Sequence, residues 1–452
     1  MPNRKTELNF TRSLSRRGWL VCTVILGLLF FNSPSSQAYS VLTHEQIVDL
    51  LWKAELRPML LARYPNATDD QIRTAHAYAY GGCLIQDIGY YPFGNHFFSD
   101  LVHYVRSGDF VSTMLAESND INEYAFALGS LAHYASDLAG HPAVNIAVGE
   151  TFPKLRAKYG GIVTYADNPT AHIRTEFGFD VVQVARDRFT SQAFHDFIGF
   201  EVSRPLLERA FQQTYGLPLT DVFPNLDLSI GSFRYSVSTL IPNMTHVALA
   251  MKKDEILQED PSMTREKFIY HLKRSQYRRD FGTNYKGPGL GTRLLAILIK
   301  ILPKIGPLKA LDFKMPTTST ETLYMQSVND SRDHYEQDLK LVQSNDLALD
   351  NRDFDTGKET RAGEYSLTDE TYANLVNKLA SEKFARLTPQ LQTNILAFYQ
   401  NPQTPAFAAK NKRKWKKTQS NLALLKSFPA TASNSDTVQS ATYTKVTPVP
   451  TP

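Results

Sequence analysis

The chain has 452 residues, 42% hydrophobic and 21% charged, with 49 Lys and Arg against 45 Asp and Glu for a formal charge of +4. That balance excludes collagen-like, wholly disordered and polytopic membrane proteins, and the length suggests roughly two to three domains of about 150 residues. A small positive charge points weakly to polyanions, and its meaning depends on where the charges sit.

Arg4, Lys5, Arg12, Arg16 and Arg17 precede an apolar run from Gly18 to Phe31, after which Ser36 and Ala38 supply small side chains. A basic stretch, a short apolar stretch and a small-x-small site have the form of a secretory signal peptide cleaved after Ala38. The run is shorter than the ~20 residues a spanning helix needs. The protein is therefore expected to be exported, to the periplasm or beyond the cell. The first 38 residues hold five of the 49 bases and one of the 45 acids, which leaves 44 of each in an uncharged remainder. Cys83 is then the single cysteine, so no intramolecular disulfide can form.

From Tyr39 to about Met251 apolar residues recur at helical spacing, as in Leu42, Ile47, Leu50, Leu51 and Ala54 or Ala125, Leu128, Ala132 and Ala135. Gly161–Tyr165 is too short and isolated to imply a sheet. Tyr91–Asn95 and Asp167–Pro169 read as loops. Residues 252–285 read as a charged helix and connection, Ser327–Asp346 and Thr368–Phe384 as helices, Asn351–Tyr365 as a polar loop. Asn119–Glu123 and Ser366–Glu370 read as helix starts, the latter fitting Ser/Thr-x-x-Asp/Glu. Residues 39–255 carry 16 bases and 24 acids, whereas 256–452 carry 28 and 20. These shifts divide the chain into a signal peptide (1–38), a histidine-bearing helical domain (39–255), a helical region with a basic cluster (256–428) and a disordered Ser/Thr/Pro-rich tail (429–452).

Seven of the eleven histidines lie between 44 and 172. His133, Asp137 and His141 stand at i, i+4 and i+8, a drift of only ~80°, so all three project from one helix stripe. Pro142 is expected to end that stripe or to mark where the helix turns away. His172 and Glu176 repeat the i, i+4 spacing, and Asp87 and His96 flank an aromatic turn. A single such pair is ordinarily a solvated helix contact. Three in one region, offering imidazole and carboxylate together, suit a zinc site.

Thr43-His44, the Asp87 to His96-Phe97-Phe98 segment, Leu128-Gly129 leading to His133 and Asp137, His141-Pro142-Ala143-x-Asn145, and His172-x-x-x-Glu176 together resemble the zinc-dependent phospholipase C superfamily. Phosphatidylcholine-type phospholipases C, the catalytic domain of glycosylphosphatidylinositol phospholipase D and single-strand-specific nucleases share that fold. The resemblance runs over roughly Tyr39–Phe189. It implies an all-α multi-helix bundle with an additional mostly helical C-terminal region. It also implies three Zn²⁺ ions held by Tyr39, His44, Asp87, His96, His133, Asp137, His141, His172 and Glu176. His103 stands as an alternative to His96, since both follow Asp87 at workable distance. Tyr39 would ligate through the freed N-terminus, where the bacterial phospholipases place Trp. Three residues separate Asp137 from His141, as in the phospholipase D-like branch. Asp87 could be ligand or general base.

The implied activity is hydrolysis of phospholipid by metal-activated water. A single-strand nuclease and a non-catalytic zinc- and membrane-binding protein are the alternatives. Leu290–Leu302, apolar with interspersed lysines, suits peripheral membrane contact or a buried helix. Lys410–Lys417, basic around Trp415, suits anionic lipid or single-stranded nucleic acid. Asn351–Lys358 lacks the carboxylate register of a calcium loop and reads as a turn capped by its aspartates.

Overall fold

The computed structural model describes residues 41–185, 200–241, 244, 245, 248, 310–400 and 404–429. The signal segment, Tyr39, the 252–285 segment, Leu290–Leu302 and residues 430–452 of the tail lie outside the described residues. The described chain is almost wholly helical. α1 (Val41–Leu51) continues through a π turn, Trp52–Leu56, into α2 (Arg57–Arg63). α3 (Asp69–Gly82) leads through a tight turn, Ile85–Tyr90, to α4 (His96–Tyr104) and α5 (Ser107–Ala116). The long α6 (Ile121–Thr151) is followed by α7 (Pro153–Tyr159), α8 (Pro169–Ala185), α9 (Arg204–Tyr215) and α10 (Leu226–Tyr235). The C-terminal part supplies α11 (Thr318–Ser344), a hairpin of β1 (Arg352–Asp353) and β2 (Lys358–Glu359), then α12 (Ser366–Ser381), α13 (Pro389–Phe398), α14 (Ala406–Lys410) and α15 (Lys412–Ser427). No described helix is long and apolar enough to cross a membrane.

Local signals start these helices where side chains can satisfy free backbone N–H groups. Thr68 and Gln71 form a reciprocal capping box on α3, and Asp120 accepts from the Asn122 and Glu123 amides to start α6. Ser366 does not cap α12. The N-cap is Tyr365, and the Asp369 carboxylate instead accepts from the Gly363 amide.

α6 is apolar or small around most of its circumference, and it lies buried between α3 and α11. Its crossing with α3 is set by two glycines. A Cβ on Gly129 would stand 2.1 Å from the Ala79 carbonyl oxygen, and one on Gly82 would stand 1.9 Å from that of Phe126. Only bare Cα atoms allow backbones so close. α11 is tied on from the other side by the Tyr335 hydroxyl donating to the Leu128 carbonyl (2.9 Å) and by Tyr324 stacking on Phe179. One hydrophobic core therefore spans described residues on both sides of the charge switch at 255.

Pro142 does not end α6, which runs on to Thr151. Proline removes one N–H and leaves the Leu138 carbonyl without its helical donor. Gly357 of the hairpin, at φ +69°, seats here: a Cβ would lie 3.1 Å from that oxygen and 3.3 Å from the Pro142 ring. In the basic cluster, Trp415 packs on Tyr399 and Phe407, and Lys414 pairs with Glu370 at 2.6 Å. Lys410, Lys412, Arg413, Lys416 and Lys417 remain exposed.

Gly129→Ala is expected to cost about 3 kcal/mol in denaturant unfolding, because the clash falls on backbone that cannot step aside. Gly231→Ala, at a helical position with nothing within 4 Å of the new methyl, is expected to be neutral or to gain about 0.5 kcal/mol. Equal midpoints for the two variants would refute the close crossing.

Candidate metal centre

Five elements deliver polar side chains to one buried point. α1 brings His44, the Ile85–Tyr90 turn Asp87, α4 His103, α6 His133, Asp137 and His141, and α8 His172 and Glu176. Each is 0% exposed save Glu176, at 2%. They form three groups with donor atoms within 4.8 Å of one another: His44, His133 and Asp137; Asp87, His103 and His133; His141, His172 and Glu176.

Asp137 is the hub. Its Oδ1 faces His44 Nε2 at 3.5 Å, and its Oδ2 faces the Nε2 atoms of His133 (3.0 Å), His103 (3.4 Å) and His141 (3.5 Å). Asp87 Oδ1 lies 3.4 Å from His103 Nε2, which lies 3.4 Å from His133 Nε2. Most of these spacings are long for charge-assisted hydrogen bonds, which favour about 2.7–2.9 Å. They match the edge of a tetrahedron around zinc, about 3.3–3.4 Å for bonds near 2.0–2.1 Å. Both oxygens of Asp87 and of Asp137 and both ring nitrogens of His141 lack a hydrogen bond of good geometry. Buried polar atoms are ordinarily satisfied, so these donors fit a cation at their centre.

The outer nitrogens are arranged to match. His133 Nδ1–H donates to the Cys83 carbonyl (2.9 Å), His103 Nδ1–H to the Ser99 carbonyl (2.8 Å), and His172 Nε2–H to Asn145 Oδ1 (2.9 Å). Each acceptor holds no proton to give, so the ring donates outward and turns its inner nitrogen toward the cluster, the orientation that metal-bound histidines adopt. The first of these bonds depends on the α3–α6 crossing, which carries Cys83 to α6. His172 Nδ1 then meets Glu176 Oε1 at 2.6 Å.

Electrostatics follow from burial. Burial raises Asp87 above the usual carboxylate range and Glu176 well above it. Burial also pushes Asp137 up, but His133 and His141 outweigh it and hold Asp137 well below its ordinary value. Burial lowers His44. In His103 burial, which lowers the ring, is overcome by the Asp137 and Asp87 carboxylates beside it, and the ring is held up to about 10. Without metal, protons do part of the work of a cation.

Of the residues expected from sequence, His44, Asp87, His133, Asp137, His141, His172 and Glu176 come together. His96 does not join them. It opens α4, half-buried beside Tyr90, whereas His103, two turns on, reaches Asp87. Asp355 was not expected here. Its Oδ1 lies 3.1 Å from His141 Nδ1, its Oδ2 accepts from the Tyr104 and Tyr365 hydroxyls, and Phe354 beside it packs on His103 and His133. Asn351–Lys358 reads in sequence as a turn capped by its aspartates. That holds for Asp353, which accepts from the Thr356 amide.

Residues 43–225 match the family model described as zinc dependent phospholipase C. No curated protein and no solved structure matches the chain.

Removing His103 and removing His96 should therefore differ. His103→Ala is expected to lower the zinc retained after dialysis, measured by plasma mass spectrometry, while His96→Ala retains the full amount; the reverse result would restore His96 as the ligand. A pH dependence follows as well. His103 gains stability on folding that is fully present below about 6.5 and is lost as pH rises through about 10. Asp87 and Glu176, raised by burial, act in the same sense because each holds its proton longer when folded. Chelator-treated protein is expected to melt at progressively lower temperature from pH 6.5 toward 10, and zinc is expected to raise the melting temperature most at the alkaline end, since metal displaces these protons. A melting temperature of the chelated protein that climbs over this window would contradict the assignment.

Proposed function

We propose that the protein is an exported zinc-dependent phosphodiesterase that hydrolyses phospholipids, with about three zinc ions shared among His44, Asp87, His103, His133, Asp137, His141, His172 and Glu176. What supports this reading is the buried convergence of three imidazole–carboxylate groups inside the stretch that matches the family. Such a donor set is costly to bury unless cations compensate it.

Zinc at this centre supplies Lewis-acid charge beside the phosphoryl group and acidifies a nearby water. The residues do the rest. Asp137 turns one oxygen toward His44 and the other toward His103, His133 and His141, so a single carboxylate faces donors of all three groups. The outward bonds of His133, His103 and His172 keep those rings from turning, which preserves the geometry without reorganisation as charge develops. Asp87 faces His103 through one oxygen and leaves the other as proton acceptor for the attacking water. Water attacks phosphorus as its proton passes to Asp87, and the bond from phosphorus to the leaving oxygen breaks as that oxygen takes up the proton from Asp87. The apolar walls around the cluster strengthen each of these interactions by excluding bulk water.

Purified protein supplied with zinc is expected to hydrolyse phosphatidylcholine in vesicles and to lose that activity to chelator. Asp87→Asn is expected to reduce turnover by about 10²–10⁴-fold. Assayed side by side, lipid inertness with cleavage of single-stranded DNA would replace the lipid reading by a nuclease. Zinc binding without hydrolysis of either substrate would replace both by a non-catalytic zinc protein.

A further inference from the structure

The hairpin of β1 and β2 lies far beyond residue 225, where the family match ends, yet it closes on the cluster. Asp355 is 0% exposed, and its two oxygens are treated differently. Oδ2 accepts from the Tyr104 hydroxyl (3.0 Å) and from that of Tyr365. Oδ1 has no hydrogen bond of good geometry and stands 3.1 Å from His141 Nδ1. A buried carboxylate gripped on one side and directed at a histidine on the other has little other reason for its place. The backbone carbonyl of the same residue accepts from Asn145 Nδ2 (2.7 Å), and Asn145 Oδ1 accepts from His172. One residue thus bears on both histidines of the His141, His172 and Glu176 group, through its carboxylate on the first and through Asn145 on the second.

We infer that Asp355 is a positioning residue of the metal centre, supplied by the C-terminal region to hold His141 and, through Asn145, His172 for the cation they share with Glu176. The inference rests on the zinc reading above. The hairpin is fixed for this task by Gly357 against the Pro142 turn and by the Phe354 amide donating to the His103 carbonyl (3.2 Å). A metal centre read from the matched residues alone would lack this support.

The test is zinc titration of the full chain against a competing chelator. Asp355→Asn keeps size and can still accept from both tyrosines, but it loses the charge facing His141. It is expected to weaken one zinc by about 10–100-fold, while the zinc-free melting temperature stays near that of the unsubstituted protein. Zinc is also expected to slow amide exchange over 351–365 in the unsubstituted protein, and to do so less in the variant. If Asp355→Asn fails to fold, Tyr365→Phe is read instead: it leaves the carboxylate and removes one of its two anchors, and a several-fold loss of zinc affinity is expected. Titration curves that superimpose on the unsubstituted protein for the variant read would overturn the role of Asp355. Absence of zinc binding by the unsubstituted protein would overturn the zinc reading itself, so the two failures are distinguishable.

Discussion

The arrangement of this protein depends on one buried carboxylate. Asp137 sits fully enclosed on α6 with four imidazoles turned toward it. Removing an ionised carboxylate from water costs several kcal/mol unless cationic partners compensate. Asp87, Glu176 and Asp355 add to the same debt. Histidine protons can answer part of it, and zinc can answer more of it in less space. Three of these four carboxylates, Asp87, Asp137 and Glu176, come from the acidic part of the chain, and the helix that carries Asp137 is buried along most of its length.

Holding such a cluster requires a backbone that does not yield. The Gly82 and Gly129 contacts bring α3 and α6 to a distance at which any methyl would collide with a carbonyl. That approach lays the Cys83 carbonyl against His133, so a packing detail orients a ring of the cluster. Asp180 plays a comparable part at the start of α1, accepting from the Leu42 amide and the Thr43 hydroxyl. Those bonds hold the first turn of the helix that carries His44. Packing, capping and site chemistry are here the same contacts seen from different ends.

What could be read from sequence was what depends on local repetition. His133, Asp137 and His141 share a stripe because the helix has 3.6 residues per turn, and no tertiary knowledge is needed to see it. His172 with Glu176 is legible for the same reason. The choice between His96 and His103 is not. They stand seven residues apart on the same face of α4, and only the direction in which that helix approaches α6 separates them. Pro142 misleads because propensity treats each helix as isolated, whereas here the hairpin covers the carbonyl that proline leaves exposed. Asp355 was invisible because nothing within its own segment distinguishes a turn-capping aspartate from one aimed at a histidine 214 positions earlier. The compositional boundary at 255 marks where charge changes sign, and α11 and the hairpin share a core with the helices before it.

Folding and metal binding consequently draw on a common set of interactions. The carboxylates beside His103 hold the protons of its ring up to about pH 10 against the effect of burial. A cation entering as proposed would release some of them, which would couple its affinity to pH. The C-terminal region is coupled in turn, since the hairpin that seals the cluster is secured by contacts to His103, Leu138 and Pro142 on the ligand-bearing helices. With the role inferred for Asp355, ordering the hairpin would favour cation binding, and by linkage cation binding would favour the ordered hairpin. The two oppositely charged parts of the chain therefore need not be separate functional units: the acidic part gathers the donors, and the basic part provides the piece that holds them in place.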